Sequence, residues 1–287
     1  MNGARSLLFV PATSERKVER AFESRAEGVI LDLEDSVAVS QKSVARRALS
    51  TILSVARPLP AYVRVNATST SHCFQDLLAV TIAEVACIVV PKVESADELK
   101  TVDWVMTQLE GQRNLPLRSV ALMAIIETAK GLTAVDAIAA ASPRLRRLVF
   151  GAVDLASDMM IDLDDEAGAS AQARFAIARA SRAALLESPF DTAFVDIHDE
   201  QRLRATSVRA RALGFSGKAC IHPGQIDIVN QVFSPDPQEL ERAARIVGAF
   251  ELAEAQGHAA VSVDGQMVDY PVVERARRIL ALALRTK

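Results

Sequence analysis

Two carboxylates close apolar runs in this chain: Glu127 ends VALMAIIET (120–128) and Asp154 ends RLVFGAVD (147–154). A carboxylate at the end of a buried strand is costly unless it is paired or binds a metal. At neighbouring strand ends the two would make an oxygen site of the kind Mg²⁺ takes, with one or two carboxylates and several retained waters. The competing reading is that each caps the next helix or pairs with an arginine. Spacing alone does not separate the two. The segment LDLEDSV (31–37) adds Asp32, Glu34 and Asp35 within four positions. Period-two alternation sends Asp32 and Glu34 to one side of a strand, while Asp35 starts the loop. Helix capping by Asp35 or Ser36 needs fewer acids than this, which points to carboxylates ordered around a cation.

Arg64 lies among apolar residues in YVRVN. It either forms a salt bridge to one of these acids or clamps a carboxylate or developing oxyanion with its two-pronged guanidinium. Both roles are compatible. Lys92 in VVPKV is a weaker version of the same pattern. His222 in CIHPGQ, beside a proline, reads as structural rather than catalytic. The four histidines of the chain assemble no Ser-His-Asp or Cys-His arrangement. Cys220 sits in an apolar run and reads as a buried, inert thiol. No glycine-rich dinucleotide or P-loop motif follows a strand-like run. The acidic run DMMIDLDDEAG (158–168) does not follow EF-hand spacing and reads as a solvated loop.

The elements that must position these side chains repeat one theme, an apolar run followed by an alanine-rich amphipathic stretch. The runs lie at 6–11, 28–35, 61–66, 86–92, 120–128, 147–154, 192–197 and 218–223. Each is continuously apolar, as parallel strands buried on both faces are. Helical patterns at 14–25, 41–56 and 95–110 fall between them, with Ser14 and Ser95 as N-caps and Gly111 and Gly214 at helix ends. Eight strands alternating with helices fit a closed barrel or an open doubly wound sheet. Polar residues end nearly every run: Glu34 and Asp35, Arg64, Lys92, Glu127, Asp154, Asp196 and His222. In a TIM (β/α)₈ barrel these ends converge on one mouth, where active sites lie. The expected fold is therefore this barrel over residues 1–234.

Residues 235–287 break the pattern. A long helix over 238–257 precedes a hairpin turned at Asp264-Gly265, a strong two-residue turn signal, and Pro271 opens a last helix. This extension is expected to form a lid, on the barrel or on a neighbouring subunit.

Composition narrows the function classes. The chain has 287 residues, 50% hydrophobic and 24% charged, with a formal net charge of −3. That is a globular composition, not a disordered or collagen-like one. Interspersed charge without a basic run argues against nucleic acid. No apolar stretch reaches the ~20 residues of a membrane span, and the N-terminus lacks the apolar core of a signal peptide. Three cysteines at unrelated spacings fit neither a zinc site nor a disulfide framework, so the expected location is the cytoplasm.

The motifs RSLLFVPATSERKVERA, GVILDLEDSVAVSQKSVAR, YVRVNA, VVPKVES, AIIETAKGL, VFGAVDLASDM, GFSGKACIHPGQI and VDGQMVDYPVVERA occur in this order over nearly the whole chain. Together they resemble the citrate lyase β-subunit family of acyl-CoA lyases, related to malyl-CoA and citramalyl-CoA lyases. The resemblance implies a TIM barrel and a Mg²⁺ held by Glu127 and Asp154. It further implies a substrate-binding Arg64, and Glu34 and Asp35, with Asp32, ordering the waters of the metal. Lys17, Lys92 and His222 are the side chains expected against substrate or CoA. In lyases closest to malate synthase a catalytic aspartate comes from the C-terminal segment of a neighbouring subunit, and Asp269 of MVDYP matches it. The family is usually trimeric or otherwise oligomeric. The first loop reads Pro11-Ala12-Thr13, where relatives often carry a glycine second. The loop after the sixth run also lacks the glycine-rich stretch many relatives carry.

The expected activity is Mg²⁺-dependent retro-Claisen cleavage of a carboxylated 3-hydroxyacyl-CoA to a 2-keto acid and an acyl-CoA. The alternatives are a thioesterase or synthase at the same site, a CoA-independent aldolase, and a subunit of a citrate lyase complex served by an acyl-carrier partner.

Overall fold

The computed structural model describes residues 4–162 and 168–285. Residues 163–167 of the acidic run 158–168 thus lie outside the described residues. The described chain divides into two compact units between Asn230 and Gln231.

The first unit is a closed barrel of eight parallel strands in sequential order. The strands are β1 (Ser6–Pro11), β2 (Val29–Asp32), β3 (Ala61–Arg64), β4 (Val85–Val90), β5 (Ala121–Ile126), β6 (Leu145–Phe150), β7 (Phe190–Asp191) and β8 (Gly217–Cys220). Between them run α1 (Glu15–Phe22), α2 (Lys42–Leu53), α3 (Cys73–Val80), α4 (Ala96–Gln112), α5 (Ala129–Thr133), α6 (Val135–Ala139), α7 (Ala152–Met159), α8 (Ala169–Ala183) and α9 (Glu200–Ala212). The α10 helix (Ile226–Val232) follows the last strand. Inward side chains from alternate strand positions, among them Leu7, Ile30, Tyr62, Val89, Met123, Val149 and Phe190, fill the barrel as one apolar cluster. The outward positions pack under the helices, so β2 and β5 are buried at every residue. This is why the runs are continuously apolar instead of alternating. Truncating one of these large side chains to alanine would cost roughly 2–5 kcal/mol.

Three expectations need correction. The seventh strand is Phe190–Asp191 and not the run 192–197. Phe190 fills the barrel interior, and the buried Asp191 pairs with Lys218 and Arg174. The apolar run after it is surface loop, with Val195 and Ile197 exposed. Consequently Asp196 ends no strand; its Oδ1 accepts the His198 N–H (2.9 Å) within that loop. Gly111 lies inside α4, which continues to Gln112. Ser95 does cap α4, its hydroxyl accepting the Glu98 N–H, and Gly214 has the positive φ of +97° expected after a helix.

The second unit holds α11 (Pro237–Ala255), the antiparallel pair β9 (Val261–Val263) and β10 (Gln266–Val268), and α12 (Tyr270–Arg285). Asp264 and Gly265 both have positive φ (+52° and +76°), as a two-residue hairpin turn requires. Phe250, Val268 and Val273 form its small apolar core, with the Tyr270 ring edge-on to Phe250 at 5.0 Å. Among the described residues no helix is long and apolar enough to cross a membrane.

Candidate active site at the barrel mouth

The C-terminal ends of β2 to β6 bring one set of charged side chains together. Asp32, the last residue of β2, pairs in register with Arg64 on β3. Its carboxylate accepts Arg64 Nε (2.7 Å) and Nη2 (2.8 Å). The same carboxylate accepts the N–H groups of Glu34 (2.9 Å) and Ser36 (3.1 Å), so it also shapes the acidic loop. Burial alone would raise Asp32; the Arg64 fork and these N–H groups more than offset it and hold the carboxyl below its ordinary range. Arg64 also lies over the Phe9 ring, 4.8 Å from its centre. The Nε–Nη2 edge of the guanidinium is thus occupied by Asp32, and Nη1 faces Glu34. Sequence reasoning left open whether Arg64 pairs with an acid or faces a ligand; the geometry pairs one edge and leaves the other nitrogen toward the mouth.

Glu34 is buried, and its Oε2 lies 3.0 Å from Arg64 Nη1 without the alignment of a hydrogen bond. Its Oε1 accepts the Lys92 ammonium at 2.7 Å. Burial raises Glu34 above the usual carboxylate range, since Arg64 and Lys92 compensate only in part and Asp35 adds to the rise. Lys42, buried on α2, donates to the carbonyls of Leu33 (2.8 Å) and Glu34 (2.7 Å) and pins this loop.

Glu127 follows β5 directly. Its Oε1 accepts the backbone N–H of Lys92 (2.8 Å). Lys92 itself has φ +50°, a left-handed conformation costing roughly 1–2 kcal/mol for a residue with a side chain. On the other flank, a Cβ built on Gly151 would overlap Glu127 Oε2 and Cβ. Glycine at 151 therefore makes room for the carboxylate. Burial, then the charges of Asp154 and Glu34, push Glu127 up to about 8.

Asp154 is not at a strand end, as its run suggested. It lies in the first turn of α7, after Gly151, where a carboxylate is favoured by the helix dipole. It reaches the cluster through Lys92, whose Nζ lies 3.5 Å from Asp154 Oδ1 and 3.5 Å from Asp35 Oδ1.

The mouth therefore gathers Asp32, Glu34, Asp35, Glu127 and Asp154 around two cations, Arg64 and Lys92. It is short of positive charge, and Glu34 Oε2 has no hydrogen-bond donor. A hard divalent cation fits this donor set. Among the described residues no three His, Cys, Asp or Glu side chains converge as a metal cage. The fit is then to an ion held by fewer carboxylates that completes its shell with water or substrate oxygens, the habit of Mg²⁺.

The other expected side chains are placed as follows. Lys17 is exposed on α1. The His222 Nδ1 accepts the Gly224 N–H (3.1 Å) and caps the short turn after β8. Asp269, in the second unit, heads α12: its carbonyl accepts Val273 N (2.9 Å) and its Oδ1 accepts Val272 N (3.4 Å). Cys73, Cys87 and Cys220 are buried free thiols; burial pushes Cys73 and Cys220 up to about 12, which leaves them inert. The reading of the sequence missed Gly151, Lys42 and Phe9. Only the glycine between an apolar run and a helix start carried a signal, and it did not reveal which side chain needed the space.

Comparison with known proteins identifies relatives along nearly the whole chain. Residues 5–223 match the HpcH/HpaI aldolase/citrate lyase family model. The chain is 34% identical to the citrate lyase subunit beta of Escherichia coli over 281 residues, covering 97% of this chain and 93% of that one. It is 37% identical to a (3S)-malyl-CoA thioesterase of Cereibacter sphaeroides, covering 97% and 94%. The CitE protein of Mycobacterium tuberculosis, solved with magnesium, acetoacetate and coenzyme A, matches with a TM-score of 0.79 at 30% identity, covering 98% of both chains. The chain therefore belongs to the HpcH/HpaI aldolase/citrate lyase family.

Proposed function

We propose that this chain is a Mg²⁺-dependent carbon–carbon lyase that cleaves a carboxylated 3-hydroxyacyl-CoA, of malyl-, citramalyl- or citryl-CoA type, to a 2-keto acid and an acyl-CoA. The observation that carries this reading is the excess of carboxylates at the mouth, with Glu127 pushed up to about 8 between Asp154 and Glu34. Glu127 and Asp154 would hold the metal. When bound, the ion supplies a Lewis acid for the hydroxyl and carboxylate oxygens of the substrate. Arg64, fixed by Asp32, turns Nη1 to the oxygen that becomes the keto carbonyl. Glu34, whose Oε2 has no donor, takes the hydroxyl proton. Fission of the carbon–carbon bond then leaves the 2-keto acid and an acyl-CoA enolate. Asp269 of a neighbouring subunit protonates the enolate, and in the condensing direction it removes the α-proton. Lys17 and His222 are assigned to the CoA end, and a homo-oligomer, a trimer, is the assembly this scheme needs.

Incubation of the protein with Mg²⁺ and each CoA ester, followed by mass spectrometry, tests the reading. Free keto acid with a shorter acyl-CoA is the expected result. Free CoA with the hydroxy acid would replace it by a thioesterase, a second reading favoured by the 37% identity to the (3S)-malyl-CoA thioesterase. Turnover only of carrier-bound esters would make the chain a subunit of a larger lyase, as the likeness to citrate lyase subunit beta allows. The role of Asp269 has its own test, because it competes with the cap the residue provides to α12. Mixing Asp269→Ala with Arg64→Ala protein under conditions of subunit exchange should restore activity. Verified exchange without recovery would leave Asp269 as a cap.

A further inference from the structure

Lys92 was expected to contact substrate, but its surroundings suit another task. The ammonium touches Glu34 Oε1 at 2.7 Å and lies 3.5 Å from both Asp35 Oδ1 and Asp154 Oδ1. An incoming substrate carboxylate at that ammonium would meet three carboxylates already around it. The N–H bond to Glu127 comes from the Lys92 backbone, whose left-handed conformation is one that glycine adopts without strain. The side chain is therefore not required for that bond, and whatever it does is separate. At 32% exposure it lies between the buried Glu34 (7%) and the more exposed Asp35 (55%) and Asp154 (36%).

We propose that Lys92 is a tethered counter-cation of the metal site: its ammonium and a divalent cation compete for Asp154 and for the field of Glu34 and Asp35, so this one side chain sets the metal affinity from within. The proposal rests on the reading that Glu127 and Asp154 hold the metal. Two positive centres cannot share Asp154 Oδ1 at contact distance without mutual repulsion. Metal entry must turn the ammonium away from Asp154, toward Glu34 and Asp35. An unbranched side chain of similar length without charge removes the competition and leaves the backbone bond to Glu127 in place.

Calorimetric titration of MgCl₂ into the full-length protein at fixed pH and ionic strength tests this. Lys92→Met should bind Mg²⁺ about tenfold more tightly than wild type, the effect of removing a unit charge roughly 6 Å from a dication in high dielectric. Lys92→Arg keeps the charge and should stay near wild type. The rise in Tm on adding Mg²⁺ should be larger for Lys92→Met than for wild type, because the metal-free variant lacks its counter-cation. Lys92→Gly, which relieves the left-handed strain, repeats the test should the methionine variant fail to fold. Unchanged or weaker Mg²⁺ binding in both uncharged variants, or equal behaviour of the arginine and methionine variants, overturns the proposal. Glu127→Gln is titrated in parallel. If wild type binds no Mg²⁺, or Glu127→Gln binds it equally well, the metal assignment itself falls and takes this inference with it. If only the Lys92 variants disappoint, the metal assignment stands alone.

Discussion

Two of the charge clusters in the barrel unit are built on opposite terms. At the N-terminal side of β6, Arg144 is fully buried and donates to Asp103 Oδ1 (2.9 Å), Glu110 Oε1 (2.6 Å) and Oε2 (2.8 Å), Val120 O (2.7 Å) and Thr107 Oγ1 (3.1 Å). Glu110 in turn accepts the N–H groups of Arg118 (2.8 Å) and Val120 (3.1 Å). Burial would raise both carboxyls, but hydrogen bonds outweigh it and hold both below their ordinary range, from Ser142 and then Arg144 at Asp103, and from Arg144 and then the Val120 and Arg118 N–H groups at Glu110. At the mouth the same chemistry is left unfinished, with Glu34 and Glu127 raised and Glu34 Oε2 lacking a donor. A saturated network can only stabilise and orient. A cluster with surplus carboxylate has free energy left to spend on a ligand, which is why perturbed groups in clefts mark functional sites.

The contrast can be broken at either end. The largest effect on stability is expected at the saturated cluster. Arg144→Ala strands the buried Glu110 carboxylate and removes one partner of the half-buried Asp103, and should lower the unfolding free energy by about 3–5 kcal/mol, read from urea denaturation, while turnover per folded molecule stays unchanged. A loss of activity at wild-type stability would erase the distinction between the clusters.

Glu127→Gln should do the reverse. It removes one ligand while keeping the size of the side chain, so the fold persists while kcat/KM falls by about a hundredfold or more, beyond the loss usual for residues that only support a ligand. Asp154→Asn should behave alike, and the double variant should be little worse than either, since each change disables the same site. Retention of full Mg²⁺-dependent turnover in either single variant would remove the metal assignment.

A smaller effect is expected at Arg64, which belongs partly to each kind of cluster. Lysine keeps the charge but cannot bridge both Asp32 oxygens and face the mouth at once. Arg64→Lys should lower kcat/KM by roughly ten- to a hundredfold, about 1.4–2.7 kcal/mol, with Mg²⁺ affinity nearly unchanged by calorimetry. Wild-type kinetics would make Arg64 a structural partner of Asp32 alone.

The mildest probe is pH. Glu127 sits near 8 in the metal-free fold against 4.5 for an ordinary glutamate, so between those values the native state holds a proton that the unfolded chain has released. Stability from this group is present below about 4.5 and is lost as pH rises through 8. The Tm of metal-free protein should therefore decline over that window by more than that of Glu127→Gln, whose amide does not titrate. Mg²⁺ binding should release a proton below pH 8 and tighten toward it, because the ligand must be ionised. A metal affinity independent of pH between 6 and 8 would contradict the raised Glu127.

Hydrophobic period is local information, and where it is continuous the sequence alone identified the architecture. Continuous apolar runs specify parallel strands covered on both faces, and the polar residues at their ends favoured the closed barrel over an open sheet. Asp264-Gly265 specified the hairpin for a similarly local reason, the positive φ at both turn positions. The acids at the mouth were legible because β2 and β5 end where their apolar runs end. The run 192–197 misled because apolar composition says nothing about pairing: the barrel closes through Phe190 and Asp191, which meet Val149, Gly217 and Lys218. Asp154 was assigned to a strand that had already ended at Phe150 and given way to a helix. Which charge satisfies which was decided by the tertiary structure. Arg64 meets Asp32 across 32 positions and Lys92 meets Glu34 across 58, and no periodicity spans such separations. Electrostatic energy depends on distance and burial, and both exist only once the strands are closed into a barrel.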